Sequence, residues 1–388
     1  MKSNNFDIMI CGAGYIGLTL ALGLQNLGLR IAIINQAKTF TPSANSAERL
    51  FAIANSSIDL LTELKLSQHF KDDAQPINQV YIIDESTAAE LLFTAAELNM
   101  PNFGLMVGEE KLMSALSKQN KMPIINQQIN EIAQDHTQVS VKIANGQMLN
   151  ASLMIVAEGK NSRIKQMLGW QDQIHDYKQD AVVFEIEHNK NHQGIALEKF
   201  TPSGPIAILP KKGGYNSCIV WTEYNGTGKL LQEMSKKDAE YLLMQRLSDY
   251  IGKIKITTEI GYFPLKLTYT KDFYEKRIIF CGDAIHSIHP IAGQGLNLGL
   301  RDVKKLIEII KANQELGLDI GSCAIGETFQ KQRNFDINLM IDSTHNINYI
   351  FSNNLFPIKL FRKLGLNVIS KFPTLKNYIM SYASGYKI

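Results

Sequence analysis

Hydrophobic positions along the chain switch between two periods, and the first switch comes early. Phe6 to Cys11 (FDIMIC) is a short apolar run with the length of a buried strand. Gly12-Ala13-Gly14-Tyr15-Ile16-Gly17 follows, and then Leu18, Ala21, Leu22 and Leu24 mark the apolar side of a helix running to about Leu27. Gly28 ends that helix and Leu29 to Ile34 is again an apolar run, so the opening residues predict a strand–helix–strand unit that begins a doubly wound sheet. Helices are predicted around Asn55 to Leu66 and over Glu109 to Asn120, the latter with Leu112, Ala115 and Leu116 inward. Gln79 to Asp84 and Glu90 to Thr94 have the alternation of a different, more exposed sheet. Gln138 to Ile143 and Met148 to Val156 flank Asn145-Gly146, the dipeptide of a tight hairpin turn.

Between Asp180 and Leu267, runs such as Ile206 to Leu209 and Ser217 to Thr222 alternate with turns, the pattern of a second, mostly antiparallel sheet. Arg277 to Cys281 returns as a buried strand and enters a loop from Gly282 to Gly295; helices fill most of the remainder. No internal repeat or low-complexity linker separates the two sheets, so the second is expected as an insertion in the first. The expected class is α/β, a Rossmann-like domain with a parallel sheet, an inserted antiparallel β-sheet domain and a helical C-terminus. The expected boundaries are 1–75, 106–178 and 271–340 for the Rossmann-like domain, 76–105 and 179–270 for the insertion, and 341–388 for the helical tail.

Composition narrows the setting. With 45% apolar and 20% charged residues in 388, the chain reads as an ordinary globular protein with a sizeable core. A net charge of +3 is too small to imply nucleic acid as a partner. Cys11, Cys218, Cys281 and Cys323 are widely spaced and form no CxxC pair, which speaks against a disulfide framework or zinc site and for a reduced, cytoplasmic setting. Lys2 and the apolar stretch Ile8 to Leu24 imitate a signal peptide, but glycines and polar residues interrupt the stretch. No run reaches the roughly 18 apolar residues of a membrane span.

The candidate chemistry begins at Gly12, Gly14 and Gly17. A tight turn, the close approach of backbone to a pyrophosphate, and the packing of helix on strand each need a missing Cβ, and the helix start offers free N–H groups to phosphate. Alone this spacing is weak; between a strand and a helix it points to a dinucleotide. The acid expected at the end of the second strand is Asn35, which can still bond a ribose hydroxyl without a carboxylate's charge-assisted strength. The second motif runs from Arg277 to Asp302 (RIIFCGDAIHSIHPIAGQGLNLGLRD). Its strand delivers Asp283 to the carboxyl edge of the sheet, Pro290, Gly293 and Gly295 shape a close-fitting loop, and Asn297 opens a helix whose start stabilises negative charge. His286 and His289 lie three apart, but no carboxylate or cysteine completes a set, so they read as loop-shaping or substrate-side residues and no metal is expected.

This ordered string resembles the ribityl-binding motif of the p-hydroxybenzoate-hydroxylase-like class A flavin monooxygenases. The resemblance implies FAD, with Gly12, Gly14, Gly17, Asn35, Gly282, Asp283, Gly295, Leu296 and Asn297 holding it, and with Pro290, Gly293 and Gln294 beside the flavin ring. Val156-Ala-Glu-Gly-Lys-Asn-Ser-Arg163 is similar to the family's DG motif, where Glu158 and Gly159 stand for Asp-Gly and Lys165 replaces the expected arginine. Arg49, in RLFAIANS, occupies the place of the family's flavin-contacting arginine; the plain alternative is a surface arginine leading a helix.

Gly204 to Pro210 (GPIAILP), Ser217 to Trp221 (SCIVW), Phe263-Pro-Leu265 and the tail from Ile350 to Met380 narrow the resemblance to the ubiquinone-biosynthesis hydroxylases. That branch implies an NADH- or NADPH-dependent monooxygenase. Its reduced flavin reacts with O2 to a C4a-hydroperoxide that hydroxylates a polyprenylated phenol held on the inserted sheet. Hydroxylation of a small soluble aromatic is one alternative; a non-catalytic flavin-holding or complex-organising subunit, motivated by Asn35 and Glu158, is another. From Ser343 onward there are six Lys or Arg and no acidic residue, interleaved with Phe351, Leu355, Phe356, Leu360, Phe361, Leu364 and Leu366. Such a tail suits the inner face of an anionic membrane or a ubiquinone-synthesis complex, and equally a helix pair packed on the core.

Overall fold

The computed structural model describes residues 4–36 and 46–386. Asn5–Cys11 lies at the centre of a mainly parallel sheet, between Ile31–Ile34 on one side and Met148–Val156 on the other. Met148–Val156 pairs in parallel with Ile278–Phe280, and Ile31–Ile34 with the short Ile124–Ile125. Covered on both faces, these strands carry continuous apolar runs rather than alternation; Ile8, Met9, Ile10 and Cys11 are all fully buried. Each such Ile or Leu contributes about 1.5–3 kcal/mol of burial. The predicted hairpin forms, with Val139–Ile143 antiparallel to Met148–Val156.

The second sheet is built on Gln173–His188, a strand that pairs antiparallel with Asn216–Tyr224 and with Gly261–Tyr269. Its register shifts between Asp176 and Gln179. The sheet continues through Gly204–Pro210 and Ile195–Thr201 to Gln79–Asp84 and Ala89–Thr94. One pair in it, Ile195–Thr201 with Gln79–Asp84, is parallel. A third sheet was not foreseen: Leu50–Ala54 pairs antiparallel with Gly104–Gly108, and Gln75–Pro76 adds to its edge. Arg49 therefore leads a strand, not a helix.

Two helices fix the relation of sheet to site. Tyr15–Leu24 follows the first strand and Gly295–Glu315 follows the loop after Ile278–Phe280. A Cβ on Gly299 would lie 2.7 Å from the Ile16 side chain, and one on Gly23 would lie 2.0 Å from Ile307. Ile16 thus faces residue 299 and Gly23 faces residue 307, so the two helices run parallel with their N-termini side by side. The second helix starts at Gly295, two residues before the predicted opening at Asn297.

The C-terminal segment spans both sheets. Cys323–Phe351 packs against Gly295–Glu315, and Phe356–Lys371 and Pro373–Ala383 close over Ala89–Thr94, where Leu366 and Met380 join Ala89, Leu91 and Phe93. Arg362, counted above among the basic surface residues, is buried. Its Nη1 donates to the carbonyls of Ile350, Phe351 and Asn353 at 2.7–3.0 Å, and its guanidinium pairs with buried Asp84 at 3.1 Å. Lys376 pairs with Glu97 at 2.8 Å, and Lys387 lies outside the described residues. The opposite face stays open, with Phe356 78% and Phe361 66% exposed. Packing and an open apolar face therefore coexist. No helix among the described residues is long and apolar enough to cross a membrane.

Asp84→Ala leaves the buried Arg362 guanidinium without its carboxylate partner. It should lower unfolding free energy by about 3 kcal/mol, the usual cost of breaking a buried pair. Hydrogen exchange should quicken over residues 356–383 and stay unchanged over 5–34; uniform quickening, or none, contradicts the strap-like role of this pair.

Candidate functional site

The N-termini of these two helices lie side by side. The first ladder bond of Tyr15–Leu24 is Leu18 N–H to Gly14 O, and that of Gly295–Glu315 is Leu298 N–H to Gln294 O. The N–H groups of residues 15–17 and 295–297 therefore precede both ladders, and neither first turn carries an acid. Gly12 has φ +114 and a Cβ there would sit 2.4 Å from Ala157 O; one on Gly17 would sit 1.9 Å from Gly12 O. Those two glycines let the chain pack on itself. Gly14 differs: a Cβ there meets nothing within 4 Å, and the same holds for Gly159 and Gly295. These three border open space, so their backbone is free to be approached closely.

Against the first helix start, where a Cβ on Gly282 would lie 3.0 Å from Ile16, the short turn Gly282–Ala284 carries half-buried Asp283. The Asp283 carboxylate accepts no hydrogen bond among the described residues. Burial pushes it up, against the opposing pull of His286, Arg49 and Lys160. Exposed Arg49 packs its guanidinium 4.8 Å from the Phe51 ring. The loop carrying Pro290, Gly293 and Gln294 rests on the same strand, since a Cβ on Gly293 would come within 3.2 Å of Ala52. Pro290 and Gly293 are exposed, Leu296 is half-buried, and the buried Gln294 Oε1 has no partner among the described residues. Asn297 is committed to the protein: its amide donates to Ala52 O at 2.8 Å and accepts from Ala54 N–H at 2.9 Å, tying the third sheet to the helix start.

The departures from the expected pattern find partners inside the chain. The Asn35 amide donates to Asn126 at 3.1 Å. Gln36, next along, donates to Glu158, whose other oxygen accepts from Ser162 Oγ at 2.9 Å and Ile164 N–H at 3.3 Å. Glu158 thereby reaches across from the end of Met148–Val156 to the segment that follows Ile31–Ile34. Lys165 is buried in an ion pair with Asp172, facing inward.

Residues 5–315 match the FAD binding domain family. The chain is 31% identical over 98% of its length to ubiquinone hydroxylase UbiL of Rhodospirillum rubrum, covering 89% of that protein. The chain belongs to the ubiquinone-biosynthesis FAD-dependent hydroxylases. Further members are the 3-demethoxyubiquinol 3-hydroxylase of Escherichia coli K12 (28% identical, 99% and 100% coverage) and the mitochondrial COQ6 monooxygenase of Dictyostelium discoideum (26%, 100% and 92%). Among solved structures, p-nitrophenol 4-monooxygenase PnpA of Pseudomonas putida DLL-E4 superposes with a TM-score of 0.74 at 16% identity, over 99% of this chain and all of that one. That likeness attests the fold.

The residues present fit FAD, the cofactor of this hydroxylase family. Open backbone at Gly14 beside free N–H groups suits a diphosphate, the unpartnered Asp283 carboxylate suits a sugar or ribityl hydroxyl, and the helix start at Gly295 suits the electron-rich side of a flavin ring. Behind the loop lies a charged cluster that reading the sequence did not find. Asp302 accepts from Gly282 N–H at 3.1 Å, His286 Nε2 at 2.8 Å and Arg333 Nε at 2.7 Å. Asp336 accepts from Arg333 at 2.7 Å and Arg301 at 3.0 Å, and all five charged or imidazole side chains are buried. Burial pushes Asp302 up, yet His286 and Arg333 hold its carboxyl below the ordinary range. His286 thus has a carboxylate partner after all, nineteen positions beyond the Asp283 that drew attention, and Arg333 lies on a distant helix.

Two outcomes are expected. Gly14→Ala should leave the stability of the cofactor-free protein unchanged while weakening FAD binding, whereas Gly12→Ala and Gly17→Ala should lower both; thermal denaturation and fluorescence titration with FAD separate them. Burial and the neighbouring His345 press His289 down from its ordinary 6.5 to about 3. Its contribution is therefore complete above about pH 6.5 and lost as pH falls toward 3, at up to about 1.4 kcal/mol per pH unit. His289→Gln should flatten the acid limb of urea-unfolding stability by about one proton; an unchanged slope contradicts a neutral, buried His289.

Proposed function

We propose that this enzyme hydroxylates the ring of a polyprenylated phenol in ubiquinone synthesis, at the inner face of a membrane, with NADH or NADPH and O2 as co-substrates. The observation that carries the reading is the near full-length likeness to ubiquinone hydroxylases, which includes the inserted sheet and the C-terminal helices as well as the cofactor motifs. FAD, when bound, supplies the two-electron reduction and the activation of O2. The chain supplies position. Gly12, Gly14, Gly17 and the helix start at Tyr15 would hold the diphosphate, Asp283 and Arg49 the ribityl and ring regions, and Glu158 with Gly159 the nucleotide side. Pro290, Gly293 and Gln294 would form the floor beside the ring. The strands Gly204–Pro210 and Asn216–Tyr224 offer the wall that orients the phenol and excludes water.

The open face of Phe356–Lys371 supports membrane docking. Phe356, Leu360, Leu364 and Val368 recur every four residues, all exposed, and Lys359, Lys363 and Lys371 border them. An apolar stripe rimmed by cations suits an anionic bilayer, where a prenylated substrate resides.

Purified protein should be yellow, bleach on adding NADH or NADPH, and recover its colour in air. It should convert a prenylphenol in detergent micelles to a ring-hydroxylated product. Burial of only two prenyl methylenes, about 0.8 kcal/mol each, favours that substrate more than about tenfold in kcat/KM over the bare phenol. Equal turnover of the bare phenol would favour a small soluble aromatic as the substrate. A colourless protein that FAD cannot reconstitute contradicts the enzyme reading. Phe356→Ser/Phe361→Ser should abolish sedimentation with phosphatidylglycerol vesicles and spare micellar activity.

A further inference from the structure

Arg301 is only 7% exposed and lies on Gly295–Glu315, about 9 Å along the helix from Gly295. Its Nη1 donates to Asp336 at 3.0 Å. Its other edge, formed by Nε and Nη2, is buried and has no hydrogen-bond partner among the described residues. That edge is the planar fork by which a guanidinium takes an anion with two parallel bonds. Tyr382 stacks its ring 5.8 Å from the same guanidinium and places its hydroxyl on Asp336 at 3.2 Å. The helix Asn55–Glu63 begins beside this fork. Its cap position is Ala54, which offers no side-chain acceptor, and its first turn carries no acid. Ser56 N–H donates to Ser384 O at 3.2 Å and Tyr386 Oη to Asp59 at 3.0 Å, so the end of the chain lies along the start of this helix. A Cβ on Gly385 would meet Ser56 Oγ at 1.9 Å and Arg301 Nη2 at 3.5 Å, which brings helix start and fork to one spot. The hydroxyls of Ser56, Ser57 and Ser384 are buried without partners among the described residues.

These groups have one chemistry in common. Guanidinium and helix-start N–H groups only donate, and each of the three hydroxyls is able to donate. A water at the fork would bring two hydrogens of its own and find only hydroxyl oxygens to receive them. A particle with negative charge and no hydrogens is met by donors throughout. The charges agree: Arg301 and Arg333 balance Asp302 and Asp336 in number, which leaves the partial positive charge of the uncapped helix start without a counterpart. Because every one of these atoms is closed off from solvent, an anion carrying an organic tail does not fit.

We propose that a small inorganic anion of the size and charge of chloride binds between the Arg301 fork and the start of Asn55–Glu63, with Ser384 and Gly385 closing over it. The site is distinct from that of the cofactor. The loop beside the flavin reaches Gly295–Glu315 at its first turn, where Asn297 is already tied to Ala52 and Ala54. The anion links three pieces of chain that are far apart in sequence: the helix that follows the third sheet, the helix that leads from the flavin loop, and the C-terminal residues. Its binding therefore fastens the end of the chain to the core, and it does so whatever the enzyme's substrate is.

The test compares the FAD-loaded protein in sodium chloride and in sodium gluconate, whose anion is too large to enter, at one ionic strength so that screening is constant. Chloride should raise Tm saturably, by about 3 °C at roughly a hundredfold excess over its dissociation constant. It should also slow hydrogen exchange over residues 55–60 and 380–386. A crystal grown in sodium bromide should show an anomalous peak in contact with Arg301 Nε and Nη2. Arg301→Lys keeps a charge for Asp336 but has no fork, and Ser56→Asp supplies a carboxylate from the chain itself. Both variants should lose the chloride response, and Ser56→Asp should exceed the wild-type Tm in gluconate. If Arg301→Lys does not fold, Ser56→Asp and the bromide crystal decide. A wild-type Tm that ignores chloride overturns the inference. So does a response that either folded variant keeps, or a fork that holds water and no bromide.

Discussion

The seating of Ile16 between Gly282 and Gly299 is the contact on which the rest of the site depends. Because the second helix has no side chain at residue 299, and the turn has none at 282, the Tyr15–Leu24 and Gly295–Glu315 helices approach closely and lie parallel. Parallel helices place like ends of their dipoles together, an arrangement that costs energy until something negative sits at the shared end. The fold therefore builds its affinity for an anionic cofactor into its backbone. No lysine or arginine stands in either first turn, and the attraction comes from peptide groups that cannot swing away.

A second constraint lies behind the first. Asp302, Arg333, Asp336 and Arg301 exchange charge-assisted bonds in a buried cluster that also holds His286 and the Gly282 N–H. Such clusters contribute little net stability, but they punish any arrangement that separates their members. Here they lock the turn carrying Asp283 to the long helix Cys323–Phe351. The same helix holds the second sheet through Asn348, whose amide donates to Gln179 at 2.9 Å. Beyond it, Arg362 reaches Asp84. One continuous C-terminal segment thus sets the distance between the sheet that carries the cofactor motifs and the sheet that faces it.

Much of this was legible in the sequence, for identifiable reasons. Strands buried on both faces write themselves as apolar runs, and the glycines at 12, 14 and 17 mark a turn that few other residues can make. Asp283 was found because it follows such a run directly. What stayed hidden depends on partners far along the chain. The pairing of Leu50–Ala54 with Gly104–Gly108 joins two short runs too brief to show a period. Asn297, expected beside the cofactor, spends its amide on Ala52 and Ala54. Lys165 and Arg362, taken for a motif position and a surface cation, face inward because Asp172 and Asp84 wait for them. Arg301, Ser56 and Ser384 carried no local signal, since nothing in the sequence places residue 384 beside residue 56.

The discontinuity of the central sheet has a consequence for how the enzyme is made. Asn5–Cys11 pairs with Met148–Val156, and that strand waits in turn for Ile278–Phe280. At ribosomal speeds of roughly 5–20 residues per second, the first strand is complete long before its neighbours emerge. During that interval an uninterrupted apolar edge is presented to the crowded interior of the cell. The edge of Asn5–Cys11 that faces Met148–Val156 therefore has no strand to pair with until more than a hundred further residues have been made.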